Sequence, residues 1–153
     1  MDFWEVIKKR KSIRSFDFGR EITDEQLGQI LQAGKRAPSA GGLYPIEFLV
    51  VREQETKEKL AVAANNQSFL INASVIIVVV ANLDMNSRYG ERGRSLYVIQ
   101  DGAAATENML LAITALGLAA CWVGVFSESE ASKVMELKEN QRVLTILPIG
   151  WEK

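Results

Sequence analysis

The run Ser74-Val75-Ile76-Ile77-Val78-Val79-Val80-Ala81 constrains this chain more than any other segment. It is continuously apolar and β-branched, as expected of a strand buried on both faces. It is far too short to cross a bilayer as a helix. A strand covered on both faces needs other elements above and below it, so the chain is expected to fold in layers, as α/β or α+β. The length of 153 residues suffices for one domain with a real core, and 48% hydrophobic residues argue against disorder.

The remaining elements follow from caps and periodicity. Asp2 is placed to cap a first helix over Phe3 to Lys9, and Thr23 to open a second with Leu27, Ile30 and Leu31 facing inward. Glu47 to Arg52 reads as a strand and Gln54 to Ala64 as a helix stopping at Asn65-Asn66; Gln67 to Asn72 reads as a short helix or loop. Asp84 to Gly93 is polar and glycine-containing, the best candidate for a mobile loop or lid. A long helix is expected over Ser95 to Leu116, ended by Gly117. Its half from Met109 to Leu116 is apolar on nearly every side, for which a subunit interface is the natural cover and a wrapping by the chain's own elements the alternative. Ala120 to Val125 reads as a buried strand, Ser127 to Leu137 as a surface helix capped by Ser127, and Val143 to Ile149 as the closing strand.

Composition excludes several chemistries. The chain has no histidine, so His-based triads and His metal sites are absent; no carboxylate cluster has convincing ligand spacing, and no metal is expected. A net charge of −1 argues against a general nucleic-acid binder. The single cysteine, Cys121, lies in an apolar run and reads as a buried structural thiol; with no intrachain disulfide possible, a reducing cytoplasm fits. No signal peptide, membrane span, repeat or linker is visible, so no membrane partner is expected.

Two segments carry chemistry. In Ala37-Pro38-Ser39-Ala40-Gly41-Gly42-Leu43-Tyr44-Pro45, two prolines bracket a serine and a Gly-Gly pair. Such a loop can bend tightly and bring its backbone close to a flat ligand. Alone, it reads equally as a plain helix-to-strand connection. Lys8 to Phe16 interleaves cations with hydroxyls. If it is extended, Arg10, Ser12 and Arg14 share one face, and two guanidiniums with a hydroxyl suit a phosphate. The same residues also read as a solvated basic helix end favoured by the helix dipole.

Together these segments resemble the nitroreductase family of flavin enzymes. The Arg10-x-Ser12-x-Arg14 pattern follows a short opening helix, and Pro38-Ser39 follows the next one. The Ala-Gly-Gly-Leu-Tyr-Pro version resembles a branch that includes dehydrogenases of azoline rings. Two further matches are Gly117-Leu118-Ala119-Ala120-Cys121-Trp122-Val123-Gly124 and Leu144 to Gly150. The resemblance covers nearly the whole chain, residues 1–153, as a single flavin-binding domain.

The resemblance implies an α+β fold with a mixed, mainly antiparallel central sheet packed by helices, in an intertwined homodimer with FMN at the interface. Arg10 and Ser12 would hold the phosphate and ribityl end, Lys11 between them would also be cofactor-binding, and Arg14 would reach the pyrimidine edge. Pro38, Ser39, Ala40, Gly41 and Gly42 would come from the partner subunit. Gln67 resembles a residue bonding the ring edge, and Trp122, Val123 and Gly124 would face the central ring, with a backbone N–H near Gly124 directed at N5. No catalytic side chain is implied, because the cofactor carries the chemistry. The pattern departs at the C-terminus: family members continue with a tail that adds a Lys or Arg to the phosphate and wraps the partner, whereas this sequence stops at Trp151-Glu152-Lys153.

The function expected is hydride transfer from NADH or NADPH through FMN to a nitroaromatic, quinone or similar small-molecule acceptor. Two alternatives stand beside it: a flavin dehydrogenase of a heterocycle, and a non-catalytic flavin-binding module. No Gly-x-Gly-x-x-Gly fingerprint is present to choose between the two nicotinamides.

Overall fold

The computed structural model describes residues 1–153 and begins with two helices whose starts are set by local side chains. In α1 (Phe3–Lys9) the Asp2 carboxylate accepts the Glu5 N–H at 3.0 Å while Glu5 accepts the Asp2 N–H at 3.2 Å. Thr23 and Gln26 make the same reciprocal cap on α2 (Asp24–Lys35). Each cap satisfies donors that the first helical turn leaves without partners.

Strand β1 (Ile46–Val51) is followed by α3 (Gln54–Ala63), which ends where Asn65 and Asn66 take positive φ. A 3-10 turn over Ser68–Asn72 leads into β2 (Val75–Asn82). Two short pieces follow, a 3-10 turn at Ser87–Tyr89 and the single-turn α4 (Gly90–Arg92), then a π-type turn at Gly93–Tyr97 that runs directly into α5 (Val98–Ala115). Strand β3 (Ala119–Ala120), α6 (Glu128–Val134) and β4 (Gln141–Gly150) complete the chain.

The sheet order is β1-β2-β4-β3, and the expected mainly antiparallel sheet is antiparallel throughout. Strand β2 is central and buried along seven of its eight residues. Ile76, Val78 and Val80 point into one core with Leu60, Leu70 and Ile146. Val75, Ile77 and Val79 point into the other with Ile30, Met109 and Ile113. The period of two thus distributes one apolar run between two layers, α3 and α6 on one face, α2 and α5 on the other.

Three expectations change in the structure. The strand expected over Ala120 to Val125 is reduced to Ala119–Ala120 plus an isolated bridge from Val123 to Ile146. The facing residue is Pro148, which accepts the Cys121 N–H at 3.4 Å but has no N–H to return, so the ladder breaks there. The segment Asp84 to Gly93 is a chain of helical turns rather than an open loop, wound around a fully buried Asn86. Finally, the apolar end of α5 is covered largely from within: Met109, Leu110 and Ile113 pack into the core with Ile22, Leu27 and Ile30. Exposed apolar side chains lie elsewhere, among them Phe3, Trp4 and Ile7 on α1, Ile99 on α5, and Phe18, Val62 and Val125. Helix α5 stops at Gly117, whose φ of 72° permits the paired bonds Leu118 N–H to Ile113 O and Gly117 N–H to Thr114 O.

Candidate active site

The glycine-rich loop is held by one carboxylate. Ser39 Oγ donates to Asp101 Oδ2 at 2.8 Å, and the Ala40 N–H donates to Asp101 Oδ1 at 3.1 Å. Ser39 Oγ also accepts the Tyr44 N–H at 3.0 Å, closing the loop on itself. Asp101 sits on α5 and is only 7% exposed. Gly41 and Gly42 take φ of 61° and 64°, and a side chain at Gly41 would run into the Tyr89 ring. Glycine is therefore favoured at Gly41 by its backbone angle, and any side chain there would displace Tyr89. Pro38, Ser39, Tyr44, Phe48, Asp101 and Ala105 line an open apolar cavity of about 300 Å³ beside this loop.

The basic segment leaves α1 at Arg10 with a ψ of 122° and continues without helix. Its backbone is tied to the strand edge by the Ile13 N–H, which donates to Ala120 O at 2.9 Å. Lys11 is committed to Glu152, with Nζ donating to Oε1 at 2.9 Å on the surface. Arg10, Ser12 and Arg14 make no side-chain hydrogen bond or ion pair, and Ser12 and Arg14 are exposed. Arg14 acts on the Cys121 thiol: burial pushes that thiol's pKa up, and the Arg14 charge opposes the rise.

Gln67 serves the fold first. Its Nε2 donates to Ala64 O at 2.9 Å and to Val125 O at 3.0 Å, joining the end of α3 to the stretch after Trp122. In that stretch the Val123 N–H is used by Ile146 O at 3.0 Å, while the exposed Gly124 N–H has no partner. Trp122 and Gly124 border a groove with Ile99, Ala103, Phe126 and Leu144.

The sequence-predicted residues thus fall into separate places on one chain. Asp101 and Ala105 face the glycine-rich loop, whereas Ile99 and Ala103 face the Trp122 groove. At about 100° per residue these pairs lie on opposite sides of α5. Lys11 and Ile13 of the basic segment border a hollow with Gly117 and Leu118, at the far end of the same helix. Gly117 lies about 24 Å along the axis from Asp101, at 1.5 Å per residue. The loop and the basic segment do not converge within a single copy.

Sequence reasoning missed Asp101 and Tyr89. A carboxylate set among Val98, Gly102 and Ala105, on the face of the helix that those small and apolar residues mark as inward, was the available signal for Asp101. Nothing local distinguishes Tyr89. No group of three or more His, Cys, Asp or Glu is placed to hold a metal ion. No helix is long and apolar enough to cross a membrane.

Comparison with known proteins gives a consistent result. The sequence model of the Nitroreductase family matches residues 7–67 and 61–151. A protein of Archaeoglobus fulgidus, whose name includes NADH dehydrogenase/NAD(P)H nitroreductase, is 38% identical over 97% of this chain and 84% of its own length. An NADPH-flavin oxidoreductase of Vibrio harveyi is 30% identical over 95% of this chain and 64% of its own length. A crystal structure of a nitroreductase family protein from Clostridium novyi superposes with a TM-score of 0.91 at 32% identity, over 100% of this chain and 86% of that one.

Proposed function

This chain belongs to the nitroreductase family of oxidoreductases, and on that premise we propose that it is an FMN-dependent enzyme passing hydride from NADH or NADPH to a nitroaromatic, quinone or similar small acceptor. The observation that carries the reading is the uncommitted state of Arg10, Ser12 and Arg14. Lys11 beside them is paired with Glu152, whereas these three have no partner within the chain. A guanidinium and a hydroxyl left free in an extended segment fit a phosphomonoester, and the second guanidinium remains for another part of the same ligand.

The donor set fits a flavin as well. Arg10 and Ser12 would hold the phosphate end, and Arg14 would favour negative charge at the pyrimidine edge. The unpartnered Gly124 N–H is available to a ring nitrogen. Gln67 keeps Oε1 free while its amide nitrogen holds the fold. The Ser39-to-Gly42 backbone, fixed by Asp101, offers a rigid wall without Cβ atoms at its tip. When bound, FMN supplies the hydride acceptor and donor; the protein's task is to bind, orient and polarise. Lys11 joins the phosphate ligands only by releasing Glu152, an exposed pair that costs little to break.

The reading includes a homodimer. The loop and the basic segment lie at different ends and sides of α5, so a second copy would have to bring one to the other. Trp4, 76% exposed beside Phe3, offers apolar surface for such contact.

The test is the absorption spectrum of purified protein, chromatography of the released cofactor, and anaerobic addition of NADPH or NADH. FMN that bleaches on addition supports the proposal. Released FAD, or no flavin bound on reconstitution with FMN, overturns it. FMN that stays oxidised with either donor removes the NAD(P)H oxidoreductase and favours the heterocycle dehydrogenase or the binding module.

A further inference from the structure

Between Ser87 and Tyr97 the chain carries three arginines, Arg88, Arg92 and Arg94, against one carboxylate, Glu91. None of the three makes an ion pair; among the chain's other arginines Arg52, with Glu21 and Asp24, and Arg142, with Glu128, do so. Uncompensated positive charge is concentrated here in a chain of net charge −1.

The cluster is ordered by aromatic contacts. Tyr89 and Tyr97 meet edge to face with ring centroids 5.6 Å apart. The Arg88 guanidinium lies 5.3 Å from the Tyr89 ring centre, and that of Arg92 lies 5.4 Å from the Tyr97 ring centre. Arg92 Nε donates to Tyr97 Oη at 3.2 Å, which orients the fork and leaves its two terminal nitrogens free. A guanidinium held near an aromatic ring keeps N–H edges available for oxyanions. Tyr89 presses against Gly41, so the cluster is fastened to the loop assigned above to the flavin wall. Asn86, fully buried beneath, donates to Gly93 O at 3.4 Å and holds the turns together.

We propose that Arg88 and Arg92, framed by Tyr89 and Tyr97, form the subsite for the 2′-phosphate of the nicotinamide donor, so that NADPH is preferred to NADH. The inference rests on the oxidoreductase reading above and adds the choice of donor. The two nicotinamides share a pyrophosphate; they differ only in a 2′-phosphate, which brings about −1.5 to −2 charges near neutral pH. Two unpaired guanidiniums distinguish those ligands through that group. A general anionic acceptor is the other source of such charge, and one arm of the test separates it.

The experiment uses the purified full-length protein with its flavin. Calorimetric titration compares adenosine 2′,5′-bisphosphate with adenosine 5′-monophosphate, and steady-state kinetics compare kcat/KM for NADPH and NADH. The unmodified protein is expected to favour the bisphosphate, and NADPH, by about tenfold or more. The double variant Arg88→Ala/Arg92→Ala is expected to bring both ratios close to one, with flavin content and melting temperature showing that it is folded. Arg92→Lys should retain part of the preference, because charge persists without the fork. Equal use of both donors by the unmodified protein overturns the proposal, as does a folded double variant that keeps its preference. Should the double variant change only the KM of a carboxylated nitroaromatic acceptor, the arginines serve the acceptor and the proposal falls. Selective binding of the bisphosphate by a protein that oxidises neither donor would leave the subsite standing and remove the oxidoreductase reading instead.

Discussion

Ser39 donates its hydroxyl hydrogen to Asp101 at 2.8 Å across 62 residues of sequence, fastening the glycine-rich loop to the first turn of the longest helix. The same carboxylate takes the Ala40 N–H, so two donors of the loop depend on one buried acceptor. Asp101→Ala leaves both without it. The expected loss is about 1–3 kcal/mol of folding stability, with weaker flavin binding in addition. Asp101→Asn, which keeps one carbonyl oxygen, should lose less. Urea unfolding and flavin titration of both variants measure this; an Ala variant with stability and flavin affinity unchanged would show that the loop is held by other means.

Arg10 and Arg14 are expected to differ in what they do. Arg10→Ala should weaken FMN binding by about ten- to a hundredfold, since a charge-assisted phosphate contact holds the cofactor in either redox state. Arg14→Ala should lower the flavin midpoint potential, since positive charge at the pyrimidine edge favours the reduced anion. Spectroelectrochemical titration of both variants separates the roles. An unchanged potential in Arg14→Ala, with affinity reduced as for Arg10→Ala, would make Arg14 a second phosphate ligand.

Cys121 gives the protein an alkaline sensitivity. Burial raises its thiol pKa above the ordinary value of 9.0, against the opposing charge of Arg14. The folded chain therefore holds this proton more tightly than the unfolded one. The corresponding stability is complete below the unfolded pKa and is lost as pH rises through the raised folded value. The stability difference between the unmodified protein and Cys121→Ala should be flat up to about pH 8.5 and shrink above it. Removing Arg14 should push the thiol further up and slow its alkylation at a given alkaline pH. A stability difference that grows with pH would reverse the assignment.

Trp4 offers a test of the proposed dimer that spares the core. It is exposed on α1 and meets Phe3 edge to face at 5.3 Å. Trp4→Glu should weaken self-association by about tenfold or more while the monomer stays folded, as expected for an aromatic anchor in an interface. Sedimentation velocity with circular dichroism reads both. An unmodified protein that is monomeric at micromolar concentration would remove the dimer, and an unaffected dimer would move the interface away from α1. Leu110 cannot serve this purpose, because at 5% exposure it already belongs to the chain's own core.

What the sequence determined by itself is what depends on near neighbours. The starts of α1 and α2 were legible because their caps are exchanges over three residues, Asp2 with Glu5 and Thr23 with Gln26. The end of α5 was legible because Gly117 alone suits the positive φ required there. Strand β2 was legible because a β-branched run has few other uses, and the basic and glycine-rich segments were visible as unusual local compositions. Tertiary structure decided the rest, where partners are distant in the chain. Pro148 broke the strand expected at Ala120 to Val125, Glu152 drew Lys11 away across 141 residues, and α2 with the sheet enclosed the apolar end of α5. The place of the two chemical segments, on different sides and ends of one helix, was likewise fixed only by how the layers stack. Local pattern sets which groups a segment offers; packing between remote segments sets which of those groups remain free.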